Sequence, residues 1–204
     1  MIGTMAQTRR PRASTQAKRE RILDATEELI LEGGYAAVTS RGVAGRVDMQ
    51  APHLHYYFPT IDDLMVAVLR RRSDGAVERM AAALDSDEPL RSWWRIVSDQ
   101  RGTALFVELL AAANHRSALR AEIAAMAKAV RTVQVERLER LLGDYQLDPE
   151  LFTPVLVAAA MQGLGFAVVT DQAAGHDTRP EEAAAAMDHL ISVLEARRSG
   201  GAGS

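Results

Sequence analysis

The sequence predicts an all-α protein in two parts, a small N-terminal tri-helical helix-turn-helix domain and a larger helical domain behind it. Three observations carry this. Apolar residues recur at three- and four-residue intervals through most of the chain, the period of a helix with one buried face. No segment of useful length alternates apolar and polar residues as a half-buried strand does. The early helices are short and separated by tight turns, whereas those beyond residue 85 are long. The expected boundaries are a basic, disordered arm over 1–16, the helix-turn-helix domain over 17–62, the larger domain over 63–198 and a disordered tail over 199–204.

The first helix is marked by Ile22, Ala25, Thr26, Leu29, Ile30 and Gly33, one amphipathic stripe that Gly33-Gly34 terminates. Thr39 is a good N-cap for a short second helix whose inward face is Val43, Ala44 and Val47. Asp48-Met49 interrupts it. A third short helix starts around Gln50, with Pro52 tolerated in the first turn, where amide hydrogens have no intrahelical partner. Pro59 ends it. Thr60 and Asp63 resemble a capping box for a fourth helix through Leu64, Val68 and Leu69. Long helices are then expected over 88–99, 101–114, 117–143, 149–172 and 180–197. Asp148-Pro149 supplies an N-cap followed by proline for the fourth of these, and Thr178 with Glu181 a capping box for the last.

Composition narrows the function. Hydrophobic residues are 48% and charged residues 25% of the 204, ordinary for a globular protein. Without cysteine, disulfides, thiolate metal sites and cysteine nucleophiles are excluded, which suits a cytoplasmic protein. The apolar run "FTPVLVAAAMQGLGFAVV" contains a proline, a glutamine and two glycines and lacks basic flanks, so it reads as a buried helix and not a membrane span. No apolar core of signal-peptide length follows the N-terminus. Charge is uneven: residues 1–58 hold eight Lys/Arg against six Asp/Glu, and the remainder sixteen against twenty-one. A basic end ahead of an acidic body suits an anionic partner.

The stretch "QAPHLHYYFPTIDDLM", residues 50–65, clusters two histidines, two tyrosines and a phenylalanine. On a helix, His53 and His55 diverge by about 200° around the axis, so one metal ion cannot easily take both. No metal site is expected there, and no cofactor elsewhere. Leu54 and Phe58, four apart, should be buried, and the histidines and tyrosines between them cannot all share that face. No nucleophile, base and orienter stand at diagnostic spacing, which argues against an enzyme.

Residues 18–69 resemble the N-terminal DNA-binding domain of the tetracycline-repressor (TetR) family. The marks are an Arg-Ile-Leu-x-Ala-Thr first helix, "GGY" followed by a capping Thr, Val43-Ala44, then Leu54, paired aromatics and Phe58, and Leu64 on helix four, with no insertions. The chain departs from the pattern at Asp48, where the family has glycine, at Gly42, at His55 and Tyr57 within the family's Leu-Tyr-x-His-Phe signature, and at Ile61, where a basic residue is usual. Weaker phosphate contacts are expected at Tyr57 and Ile61.

The resemblance implies that helix three enters the major groove of a double-stranded operator. Gln50, Ala51, Pro52 and His53 are then the expected base-facing residues, Gln50 as a hydrogen-bonding reader and Ala51 and Pro52 as contacts for thymine methyl groups. His55, Tyr56 and Tyr57 are expected on phosphates, with Thr39 and Arg41 at the start of helix two and Arg46 a lesser candidate. Arg9, Arg10 and Arg12 would enter a neighbouring minor groove. A competing reading is an all-helical ligand-binding or interaction protein whose helix-turn-helix no longer binds DNA.

The resemblance also implies a homodimer through the last two long helices. The expected interface is Leu151, Val155, Ala159 and Gly163 on one, and Met187, Leu190, Ile191 and Leu194 on the other, though both stripes could instead pack inside one subunit. Between residues 88 and 172 it implies a cavity for a small, largely apolar effector. Its expected lining is Trp93, Trp94, Phe106, Met126, Phe152, Met161 and Phe166, with Glu108, Asn114 and Gln162 as polar groups. A repressor released from a near-palindromic operator by that effector is the expected function.

Overall fold

The computed structural model describes the backbone of residues 9–175 and 179–201 and the side chains of residues 14–173, 175, 179 and 181–198. Helices α1 (Arg9–Gly33), α2 (Ser40–Arg46), α3 (Ala51–Tyr57), α4 (Ile61–Ser73) and α5 (Ala76–Leu84) are followed by α6 (Pro89–Val97), α7 (Gln100–Ala113), α8 (Ser117–Asp144), α9 (Pro154–Ala174) and α10 (Pro180–Gly201). A 3-10 turn spans Tyr35–Ala37. There is no strand among the described residues. The chain forms two compact units. One holds the described residues through Arg71 together with Val107–Glu122, and the other holds Arg72–Phe106 and the described residues from Ile123 onward.

In the first unit the expected stripes are the core. Ile22, Ala25 and Ile30 of α1 are buried, as are Val43 and Ala44 of α2, Val47 just after it, Leu54 and Phe58, and Leu64, Met65, Val68 and Leu69 of α4. Local signals set the ends. Gly34 adopts φ +74, and its amide closes α1 by donating to the Ile30 carbonyl at 2.9 Å. The Thr39 hydroxyl oxygen accepts from the Gly42 amide at 3.0 Å, capping α2. A Cβ on residue 42 would stand 3.1 Å from that oxygen, which gives the unexpected helical glycine a local reason. Asp48 ends α2 with φ 53, the left-handed conformation its short polar side chain tolerates. Thr60 and Asp63 form a reciprocal capping box at 3.0 and 3.1 Å, the shorter aspartate standing in for glutamate.

Ion pairs fasten α4 to α1. The Arg71 guanidinium donates to Glu20 at 3.3 Å, Asp24 at 2.8 Å and Glu27 at 2.5 Å. Arg70 pairs with Glu122. The 107–122 segment reaches the turn after α1, where Glu108 Oε2 accepts the Tyr35 amide at 2.8 Å. Arg116 donates to Asp62 at 2.8 Å and lies over the Tyr35 ring.

In the second unit Met80, Leu84, Leu90, Trp93, Trp94, Leu138, Tyr145, Ala158, Met161 and Ile191 belong to one core cluster. A buried carboxylate ties α10 to α6. Glu195 Oε1 accepts the Leu90 amide at 2.8 Å and Oε2 accepts the Tyr145 hydroxyl at 2.9 Å. Burial and that carboxylate push the Tyr145 phenol up, so it stays a donor.

Four elements differ from expectation. Helix α1 begins at Arg9, inside the segment expected to be a disordered arm, because Pro11 falls in its first turn and good helix formers follow. Gly75 at φ 69 separates α4 from α5, a helix the periodicity did not reveal. Helix α9 starts not at Pro149 but at Thr153-Pro154, with Thr153 accepting from the Leu156 amide at 3.3 Å. A helix begun at 149 would have carried Pro154 in its interior, losing a hydrogen bond there and clashing with the preceding turn. Finally, α9 was expected to be buried, yet only 28% of its most apolar window is, although the helix is long and apolar enough to cross a membrane. The Thr178 capping box lies outside the described residues, and α10 runs on to Gly201 within the expected tail.

Candidate nucleic-acid interface

The helix-turn-helix presents a concave surface. Lys18 and Arg21 of α1, Gly45, Val47, Asp48, Met49 and Gln50 around the turn, and His53, Tyr56 and Tyr57 of α3 line a cleft of about 730 Å³. Its form follows from the pattern. Leu54 and Phe58 anchor α3 in the core, which turns positions 53, 56 and 57 away from it. Tyr56 is 79% exposed. It meets Tyr57 edge-on, with ring centroids 5.2 Å apart.

The expected residues divide. Gln50, His53, Tyr56 and Tyr57 share the cleft, whereas Ala51, Pro52 and His55 do not line it. Pro52 and His55 are exposed and Ala51 half-buried. His55 has a local partner: its Nδ1 lies 2.9 Å from the Pro59 carbonyl, which can only accept, so Nδ1 carries the proton and Nε2 alone remains for an outside contact. Thr39 and Arg41 are exposed at the start of α2. The Thr39 oxygen caps its helix, but its hydroxyl proton is still available to a phosphate. Arg9, Arg10 and Arg12 lie on the first turn of α1, and their side chains are outside the described residues.

Not every basic residue is available. Arg46 pairs with Glu32 and, at 3.9 Å, with Glu28, so it is neither simply solvated nor free for a phosphate. Its hydrogen bond holds the Glu32 carboxyl below the usual range. Arg19 lies 4.3 Å over the Phe58 ring and donates to the Tyr57 carbonyl at 3.3 Å, bracing the end of α3. Lys18 and Arg21 of α1, which were not among the expected DNA contacts, line the cleft. Their three-residue spacing on α1 was the readable signal.

The expected effector residues are not gathered in one place. Trp93, Trp94 and Met161 are core. Phe152, Gln162 and Phe166 are exposed instead, and Phe106 and Met126 are half-buried, the Met126 sulfur accepting from the Ser73 hydroxyl at 2.7 Å. Glu108 and Asn114 belong to the first unit. The reason lies in the rotation of α9. Its inward stripe is Ala158, Met161, Gly165 and Val168, which turns Gln162 and Phe166 outward. On a helix apolar all round, pattern does not distinguish adjacent stripes.

The expected dimer residues divide. Leu151, Val155, Ala159, Gly163 and Leu190 are exposed, while Ile191 is buried and Met187 and Leu194 pack against the core of their own unit. A Cβ on Gly163 would meet nothing within 4 Å, whereas one on Gly165 would stand 2.6 Å from the Val97 carbonyl oxygen. The close approach within the chain is therefore made at Gly165.

Residues 22–68 match the model of the tetR family of bacterial regulatory proteins. The HTH-type transcriptional repressor KstR of Mycobacterium tuberculosis is 36% identical over 85 residues, which span 40% of this chain and 39% of that repressor. A TetR-family transcriptional regulator structure from Rhodococcus sp. superposes with TM-score 0.70 at 18% identity, covering 88% of this chain and 99% of that one. A transcriptional regulator from Saccharomonospora viridis, in complex with choline, gives 0.71 at 16% identity, covering 88% and 94%.

Proposed function

We propose that this chain, whose residues 22–68 match the tetR family of bacterial regulatory proteins, is a ligand-responsive transcriptional repressor of that family, working in the cytoplasm as a homodimer on a near-palindromic operator. The relatives are regulators and not enzymes. The observation that carries the reading is the cleft at the helix-turn-helix. The Gln50 amide at the start of α3 and the imidazole and phenol groups on it stand beside two cations of α1, Lys18 and Arg21, that enter no ion pair among the described residues. That combines groups able to address base edges with groups that neutralise phosphates. Gln50 and His53 take the reading role. Tyr56, Tyr57, Thr39, Arg41, Lys18 and Arg21 hold the backbone, and Arg9, Arg10 and Arg12 extend along it.

One such head buries too little surface for tight specific binding, so two are needed. The bare apolar face of α9, with Val155, Ala159, Gly163 and Phe166, together with Leu151 ahead of it and Leu190 on α10, is the surface for a second copy. A small effector would bind the second unit and favour the conformation that does not fit DNA. Hundredfold release requires about 2.7 kcal/mol of differential affinity. Footprinting on DNA upstream of this gene and its neighbours tests the reading. A protected near-palindrome is expected. No protected sequence at any salt concentration would instead favour an interaction protein with a degenerate helix-turn-helix.

A further inference from the structure

One carboxylate stands in the cleft proposed to meet DNA. Asp48 lines it together with Gln50 and His53 and with the cations Lys18 and Arg21, and among the described residues it is the one acidic group of that lining. Asp48 is exposed. Its side chain forms no hydrogen bond or ion pair among the described residues, although two cations border the same cleft.

The turn does not require this charge. At φ 53 the backbone favours glycine or a short polar side chain, and asparagine meets that demand as well as aspartate. Against a polyanion the charge is a cost, because Asp48 repels the phosphates that Lys18 and Arg21 attract. Something in the complex must offset it.

The bases are within reach. Asp48 and Gln50 are two positions apart, so their Cα atoms lie no more than about 7 Å from each other. That is about two base-pair steps of about 3.4 Å each. Asp48 therefore stands within about two steps of the base pair that Gln50 meets.

Base-edge chemistry decides what a carboxylate tolerates there. An ionised carboxylate only accepts hydrogen bonds. In the major groove cytosine and adenine present amino donors, N4 and N6, whereas guanine and thymine present the acceptors O6 and O4. Cytosine suits a carboxylate better than adenine, whose amino group is flanked by the N7 acceptor. Opposite a keto base the carboxylate is desolvated and gains no donor. We propose that Asp48 is a specificity residue, accepting from the amino group of a cytosine, or less well an adenine, and excluding guanine and thymine from that place in each half-site. It acts mainly by exclusion. With an amino base the hydrogen bond offsets the repulsion by phosphate, and with a keto base nothing does. The inference rests on the major-groove placement of α3 proposed above.

Two variants isolate the charge. Asp48→Asn keeps the size and the tolerance of positive φ, and its amide both donates and accepts, so it suits either kind of base. Asp48→Gly removes the group altogether. The wild-type full chain first selects a consensus from a random double-stranded library. Fluorescence anisotropy then compares the three proteins on the consensus duplex and on duplexes carrying every other base pair at each position of one half-site. The wild type should show a position where cytosine binds about ten times or more tightly than guanine or thymine. In both variants that difference should fall to about threefold or less, through tighter binding of the guanine and thymine duplexes. Preferences at other positions should hold, and consensus affinity should stay within about twofold. The inference is overturned if no position prefers an amino base, or if both variants keep every preference. A uniform rise across all duplexes places Asp48 against phosphates and overturns it, as does a uniform fall. A wild-type consensus that both variants retain refutes Asp48 as a reader and leaves the regulator standing. A wild type that selects nothing refutes the regulator and the inference together.

Discussion

Replacing Lys18 and Arg21 together by glutamine removes the two cations that face the α3 cleft without touching any core residue. Each phosphate contact contributes about 0.9 to the slope of log affinity against log salt. A single head that loses both contacts should lose a slope of about 1.8, and a dimer with two heads about 3.6. Between about 50 and 200 mM salt, a slope change of 3.6 alters the affinity lost by about 150-fold. Arg46→Gln is the internal control. It deletes the same charge from the same domain, but Arg46 is paired with Glu32 and Glu28, so the slope should not move. Fluorescence anisotropy of a labelled operator across that salt range measures all three proteins. The reasoning is refuted if the double variant keeps the wild-type slope, or if Arg46→Gln lowers it as much per charge. A drop near 1.8 in place of 3.6 would mean that one head, not two, engages the DNA.

Other outcomes follow from the same geometry. Asp48→Gly removes a non-glycine residue from φ 53 and should stabilise the protein by about 1 kcal/mol in urea unfolding, with no loss of DNA affinity. Gly165→Ala drives a methyl group into the Val97 carbonyl and should cost about 1–3 kcal/mol. Gly163→Leu should instead keep the helical circular-dichroism spectrum while shifting the light-scattering mass from two chains to one. The Glu32 and Glu122 carboxyls are held low by Arg46 and Arg70 respectively. Because the folded values lie below the unfolded 4.5, the stabilisation is present above that pH and is lost as pH falls through the lowered values. Glu32 is exposed and Glu122 half-buried near the surface, so added salt should erase most of the effect, and Glu32→Gln with Glu122→Gln should flatten acid unfolding below about pH 5 at low salt.

Much of the first unit was legible because its signals are local. Gly33-Gly34, Thr39, Asp48 and the Thr60–Asp63 box each set a helix end through backbone geometry or one short hydrogen bond, and each is readable from neighbours in sequence. Side-chain availability was not. Nothing within four residues of Arg46 announces Glu32, and nothing near Arg19 announces the Phe58 ring. Only the packing of α1 against α2 and α3 decides which cations remain for DNA, and it selected Lys18 and Arg21. The second unit was less legible for a related reason. Helix α9 is apolar on every side, so its periodicity fixed a helix but not its rotation, and Gln162 and Phe166 were expected inward where they face outward. The Asp148-Pro149 start was a valid signal, outweighed by a proline five residues on.

The central claim is that this head reads DNA as one half of a two-fold pair. Selection of bound fragments from a random double-stranded library by the purified full chain, at about 150 mM salt, tests it most directly. The account predicts enrichment of a near-palindrome with half-sites in successive or near-successive major grooves, about 34–36 Å apart or somewhat more. Gln50→Ala or His53→Ala should relax one or two base pairs in each half, and Tyr56→Ala should lower recovery without changing the consensus. Recovery of no consensus, or of a single asymmetric half-site, would contradict it.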